Sequence, residues 1–196
     1  MTLDRDRIVD RAVELLRAQG LGALSMRRLA AELGVAPGAI YWHVPSKQDL
    51  LADVAERIVA GMVPPAVDPS PEPERVLAVA CALRAALLAV RDGADVVSLA
   101  LALRPDGLRP VRDIALLFAD RLPPPRADWA ARVLVHFVLG TVAEEQNRAE
   151  LRRAGHLGSD AGPDAGPDAG PDVGGEVVPA FRFGVRAIVA GAATVP

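Results

Sequence analysis

The sequence predicts an all-α protein: an N-terminal three-helix helix-turn-helix head followed by a larger helical body. Three observations lead there. Apolar residues recur at helical spacing along most of the 196 residues, and the alternating pattern of a half-buried strand is nearly absent. Four helix starts and stops fall within the first sixty residues, with a three-residue turn, Gly34-Val35-Ala36, between the second and third. Two stretches dense in Pro and Gly, 64–73 and about 155–176, break the remaining helical pattern.

The elements follow in order. Asp4 is placed to cap a first helix over 4–19, whose Ile8, Val9, Ala12, Val13, Leu15 and Leu16 form one apolar stripe; Gly20 and Gly22 end it. Ser25 caps a second helix running to Leu33, with Leu29, Ala30 and Leu33 inward, and Gly34 closes it. Pro37 suits the first position of a third helix, which ends by His43 or Val44 because Pro45 disfavours the α conformation before it. Ser46-Lys47-Gln48-Asp49 resembles a capping box opening a fourth helix to about Met62. The body reads as helices over about 74–91, 94–103, 109–121, 127–152 and 177–193, with Pro123-Pro124-Pro125 as one of the breaks. The domain boundary is set at 48/49, giving a helix-turn-helix head over 1–48 and a body over 49–196. The repeated Gly-Pro-Asp segment offers no large apolar side chain to bury and reads as a flexible connector. Its Asp164, Asp168 and Asp172 make a poor oxygen cage for a metal ion on so loose a chain.

Composition excludes several classes. A hydrophobic content of 51% is ample for a core, and no apolar run approaches the roughly 18 residues of a membrane span. The single cysteine, Cys81, excludes an intramolecular disulfide framework, and the charged first twenty residues show no secretory signal; a cytoplasmic location is expected, with no membrane partner. Cys81 lies among alanines and Val79, a setting that raises a thiol pKa and lowers its reactivity. Arginine supplies all the basic residues except Lys47, which reads as the coding bias of a GC-rich genome. The net charge of −3 argues, taken alone, against nucleic acid. The balance is uneven, however: residues 1–50 hold seven basic and six acidic side chains.

Tyr41, Trp42 and His43 stand consecutively at the end of a helix barely two turns long, so at least one large ring must remain accessible. Beside Arg27, Arg28 and Lys47, such rings suit a DNA backbone, where phenol, imidazole and ammonium groups all donate to phosphate. A hydrophobic corner is the competing explanation, and the helix-turn-helix spacing favours DNA. Trp129, Val133, Phe137, Gly140 and, on the last helix, Phe181, Gly184, Val185, Ile188 and Val189 form stripes that suit a four-helix bundle between two subunits. The same stripes could serve an intramolecular core.

The head resembles the TetR family of bacterial repressors around Gly34-Val35 and Ala39-Ile40-Tyr41-Trp42-His43-Val44 through Lys47. Arg91-Asp92-Gly93-Ala94, Arg104-Pro105-Asp106 and the run His136 to Gln146 resemble the body of the tetracycline repressors. The resemblance implies a homodimeric, ligand-responsive repressor of a palindromic double-stranded DNA operator. DNA contacts then fall on Ser25, Arg27, Arg28, Pro37, Gly38, Ala39, Tyr41, Trp42, His43 and Lys47. Pro37, Gly38 and Ala39 replace polar side chains that read bases in that class, so readout must lean on Arg27, the rings and groove shape.

The resemblance further implies an inducer cavity at Met62, Val79, Leu83, Val97, Arg104, Pro105, His136, Leu139 and Glu144. Val97 stands where that class has a metal-ligating histidine, and Val79 where it has a drug-anchoring asparagine. A small lipophilic inducer is therefore expected rather than a magnesium chelate. Glu144 can equally pair with Arg148 one turn later, and His136 more often reads as a buried, satisfied histidine.

No enzyme is expected. His136 and Glu144 lie about 12 Å apart along one helix, and no phosphate loop, nucleophile elbow or paired-histidine motif occurs, so neither cofactor nor metal is implied. The alternative is a dimeric interaction protein whose helix-turn-helix has lost specific DNA binding.

Overall fold

The computed structural model describes residues 3–62, 72–104, 108–156 and 179–194. Helix α1 spans Arg5–Gln19, α2 Met26–Leu33, α3 Pro37–Tyr41 and α4 Lys47–Ala60; the body adds α5 Glu72–Leu88, α6 Gly93–Leu103, α7 Arg109–Phe118, α8 Pro124–Arg153 and α9 Pro179–Ala192. The long Gly-Pro-Asp connector and its aspartates lie outside the described residues, as does Pro105.

Capping explains the head. The Asp4 carboxylate accepts the Arg7 N–H at 2.8 Å, and Ser25 Oγ accepts the Arg28 N–H at 3.2 Å. Gly34, at φ 68°, closes α2 in the left-handed region. Ser46 Oγ accepts the Asp49 N–H at 3.0 Å and donates to Asp49 Oδ2 at 2.6 Å. The expected reciprocity is therefore present but runs through the hydroxyl. Helix α3 is shorter than predicted, and the His43 and Val44 N–H groups both fold back on the Ile40 carbonyl. A 3₁₀ turn, Leu21–Ala23, fills the segment between α1 and α2 that the sequence left as a break.

Two body boundaries also differ. Helix α5 begins at Glu72, inside the stretch read as linker. The helices do break at the triple proline, but α7 already ends at Phe118 and the prolines belong to the restart: Pro123 is the cap of α8, and the next two occupy its first turn. A missing N–H costs nothing there, because first-turn amides have no intrahelical acceptor.

Helix α8, about 45 Å long at 1.5 Å per residue, is the spine of the body; α5, α6, α7 and α9 all pack on it. Leu83 and Leu87, Val96 and Val97, Ile114 and Phe118, and Leu134, Val138 and Val142 bury completely or almost so between these helices. Arg84 crosses from α5 to Glu145 on α8 in a two-pronged ion pair (2.7 and 3.2 Å), with its guanidinium 5.7 Å from the centre of the Phe181 ring. Helix α4 belongs to both halves. It packs on α1, and most extensively on α6. Among the described residues no helix is long and apolar enough to cross a membrane.

The predicted dimer stripe requires correction. Phe181, Val185 and Val189 are buried within the protomer's own core. Gly184 serves close approach inside one subunit: a Cβ there would stand 2.2 Å from Phe137 Cζ, and Phe137 stacks on Phe181 with ring centres 5.7 Å apart. These residues hold α9 against α8.

Candidate nucleic-acid interface and regulatory joint

The head presents one face with unopposed positive charge. Its carboxylates are occupied elsewhere: Asp6 and Asp10 by Arg57, Glu14 and Glu32 by Arg11, and Asp53 by Arg5 at 2.7 Å. Asp4 caps α1, and Asp49 is held by Ser46 and Arg104. Among the described residues, Arg27, Arg28 and Lys47 have no acidic partner. The ion pairs thus occupy the carboxylates of a nearly neutral head and leave Arg27, Arg28 and Lys47, at the first turns of α2 and α4, uncompensated.

On that front the ring chemistry is accessible. Trp42 is 89% exposed and Tyr41 49%, whereas Ile40 and Val44 beside them are fully buried. His43 is half-buried. Pro37 and Gly38 are exposed, and nothing lies within 4 Å of a Cβ placed on Gly38. Ser25 is engaged as the cap of α2, so its hydroxyl orients that helix. The N-terminal ends of α2, α3 and α4 carry Arg27, Arg28, Pro37 and Lys47, as a phosphate-facing surface requires.

The predicted inducer residues separate into three groups. Leu83, Val97 and Leu139 are core side chains, and Met62 and Val79 pack half-buried against that core. Glu144 is exposed and paired with Arg148 at 2.7 Å, which selects the ion-pair alternative. Arg104, at the C-terminal end of α6, faces α4 and reaches Asp49 at 3.4 Å and Glu56 at 3.9 Å. His136 is exposed rather than buried, and of the predicted set it alone lines a cleft of about 210 Å³ with Ser98, Leu101, Ala102, Val111, Arg132 and Val135. The other lining residues were missed because the helical patterns of α6, α7 and α8 give no sign of which side is left open where the three meet. Burial pushes the Cys81 thiol above its ordinary pKa, with Arg182 and Arg84 opposing weakly.

The candidate intersubunit face is narrower and shifted. Trp129 (64% exposed), Val133 (55%) and Gly140 remain open on α8, with Gly184 and Ile188 partly open on α9. Phe183, 76% exposed, is a further open apolar side chain on α9; the predicted stripe passed it by because it lies about 200° around the helix from Phe181.

Comparison with known proteins matches both halves. The model for bacterial regulatory proteins of the tetR family covers residues 8–54, and that for the tetracyclin repressor-like C-terminal domain covers residues 69–162. The tetracycline repressor protein class G of Vibrio anguillarum is 34% identical over 146 residues, 74% of this chain and 70% of that one. The crystal structure of Mycobacterium smegmatis BioQ superposes with a TM-score of 0.81 at 32% identity, covering 98% of each chain. ActR of Streptomyces coelicolor in complex with actinorhodin superposes with a TM-score of 0.75 at 29% identity, covering all of both chains.

Proposed function

The chain belongs to the tetR family of bacterial regulatory proteins, and from that premise we propose that it is a homodimeric repressor, released from a palindromic operator by a small molecule. The single observation that carries the DNA part is the cationic front: Arg27, Arg28 and Lys47 without acidic partners, beside an almost fully exposed Trp42. A solvated surface has no use for an indole there. Trp42 and Tyr41 pack on sugars or thymine methyls while the cations and phenol hydroxyl meet phosphates. Pro37, Gly38 and Ala39 add no side-chain hydrogen bonds, so groove shape carries much of the specificity. Two heads match half-sites roughly 34 Å apart, and the open apolar strip of Trp129, Val133 and Phe183 supplies the surface that pairs the subunits.

The ligand-responsive step runs through α6. One side of it packs on α4; its other side, at Ser98, Leu101 and Ala102, lines the cleft with His136. A ligand seated there displaces α6, α4 follows, and the heads leave half-site spacing. The inducer is a small, largely lipophilic molecule. Val97 and Val79 in place of polar residues argue against a tetracycline–magnesium chelate, and tight magnesium-dependent tetracycline binding by calorimetry would refute that point.

Footprinting on the DNA upstream of the protein's own gene tests the whole reading. A protected palindrome supports it. No protection at low salt returns the chain to the alternative, a dimeric interaction protein with a degenerate helix-turn-helix.

A further inference from the structure

We propose that Gln146 and Asp92 are positioning residues for operator binding: together they fix the α5–α6 turn and, through it, the angle at which the head stands on the body. The operator arm of this inference rests on the repressor reading; the structural arm does not.

The starting point is one amide side chain that serves two helix ends. Gln146 Nε2, from α8, donates to the Leu87 carbonyl at 3.1 Å and the Val90 carbonyl at 2.8 Å. Its Oε1 accepts the Ala94 N–H at 3.2 Å. Carbonyls at a helix C-terminus and amides at a helix N-terminus lack intrahelical partners. The Leu87 and Val90 carbonyls also accept the Val90 and Gly93 N–H groups, at 3.2 and 2.9 Å; Gln146 adds a second donor to each and takes the Ala94 N–H, so one side chain ties the end of α5 to the beginning of α6. Arg91, in the same turn, is tied back to Glu150 on α8.

The turn so clasped is tight. Asp92 is left-handed at φ 57°, the one non-glycine residue with positive φ among those described. At Gly93 a Cβ would stand 2.4 Å from the Leu87 carbonyl oxygen, so no side chain fits. A non-glycine residue held in this region persists only where its surroundings over-determine it. Gln146 on either side of the turn, the Arg91–Glu150 pair within it and the Leu21 N–H on the Asp92 carboxylate together supply that determination.

What the strained residue holds is the head. Asp92 Oδ2 accepts the Leu21 N–H at 2.6 Å, just beyond α1. Gly20 makes room for it: a Cβ there would meet the same oxygen at 2.6 Å, and Gly20 itself sits at φ 77°. At the other end of α6, Arg104 reaches Asp49 and Glu56 on α4. Helix α6 is thus pinned at one end to the segment beyond α1 and at the other to α4, the helix shared by head and body. Its first pin is set by a residue of α8 that touches no part of the head.

The test uses the full chain carrying Gln146→Met, Asp92→Gly, or both. Methionine keeps the length of Gln146 and loses its hydrogen bonds; glycine keeps the left-handed backbone of Asp92 and loses the carboxylate. Residue-resolved amide hydrogen exchange is read at Leu21, at Ala94, and at Val13 within α1. We expect Gln146→Met to speed exchange at Leu21 by about tenfold or more, as Asp92→Gly does, with Val13 still protected. Both variants should bind upstream operator DNA roughly three- to tenfold more weakly. The double variant should be no weaker than the worse single one, because the two residues act in series. Faster exchange at Ala94 with Leu21 unchanged in Gln146→Met would reduce Gln146 to a local clasp and overturn the proposal. So would operator losses that multiply in the double variant. If Gln146→Met does not fold, Gln146→Glu keeps the acceptor for Ala94, loses both donations and gives the same reading at Leu21. Should the wild type bind no operator, the repressor reading falls, and the Leu21 result still decides the relay.

Discussion

Lys47→Ala separates DNA contact from folding, because its two effects have opposite sign. Lys47 is the first residue of α4, exposed, behind a Ser46 cap and without an acidic partner. A cation at that end of a helix opposes the macrodipole, so removing it should stabilise the fold by about 0.3–1 kcal/mol. In a chain of this size that is a rise of roughly 1–4 °C in Tm. Operator binding should move the other way. If Arg27, Arg28 and Lys47 each meet a phosphate, a dimer neutralises six. The slope of log K against log salt is then about −5.4, a loss of roughly 2,000-fold between 50 and 200 mM. The variant keeps four of the six. Its slope falls to about −3.6, and the same salt change costs roughly 150-fold. Fluorescence anisotropy on labelled operator across that salt range, beside a thermal melt, measures both quantities. A variant with the wild-type slope would refute the placement of Lys47 on the backbone. A variant with lower Tm would show that its position at α4 was misread.

Four further outcomes follow from the same geometry. Trp42→Ala should change stability by no more than the roughly 0.5 kcal/mol expected of an exposed site yet weaken operator binding about tenfold by gel shift. Gly184→Ala forces Phe137 off its stack and should cost about 1–3 kcal/mol, seen as a lower Tm by scanning calorimetry; an unchanged Tm would mean that α9 can slide freely on α8. Phe183→Asp should yield a folded monomer in sedimentation velocity, since that ring is exposed in the protomer and contributes little to its core. The raised Cys81 pKa shifts its thiolate population to higher pH. Alkylation at a given pH should therefore lag behind a free thiol and overtake its own neutral-pH rate only in more alkaline buffer.

Helix caps were the most legible part of the sequence. Asp4, Ser25 and Ser46 each cap the helix they were assigned to, because a capping side chain acts within three residues and needs no tertiary information. The triple proline marked the break between α7 and α8 but put the start of α8 three residues late, because the rule that proline breaks helices applies to interiors and Pro124 and Pro125 lie in its first turn. Which side of a helix faces a neighbour was far less legible. Helix α9 is apolar on more than one side, so Phe181, Val185 and Val189 fitted a dimer stripe as well as the core they occupy. The cationic front was legible in its members and hidden in its charge. Seven basic against six acidic residues gave no net signal, and only three-dimensional pairing shows that the carboxylates are consumed at the back and at helix caps.

That pairing also sets the scale of the switch. The head is attached through α4 packing and through two polar pins at the ends of α6. The Arg104 pair is more than a third exposed on both sides and, screened by water, is worth at most about 1 kcal/mol. The Asp92 to Leu21 bond, partly buried and charge-assisted, is worth roughly 1.5–3 kcal/mol. A ligand that strains α6 therefore has to overcome only a few kcal/mol of polar contact to free one end of it, comparable to the roughly 1–3 kcal/mol of coupling typical between linked sites. The weaker pin, at Arg104, lies at the same end of α6 as Leu101 and Ala102 of the cleft. On the proposed reading, ligand strain would release the Arg104 end first while the Asp92 end holds, so that α6 would pivot instead of detaching. Arg104→Gln, which loosens the moving end alone, should then lower the inducer concentration needed for operator release with little change in Tm. A variant that needs as much inducer as the wild type would place the pivot elsewhere.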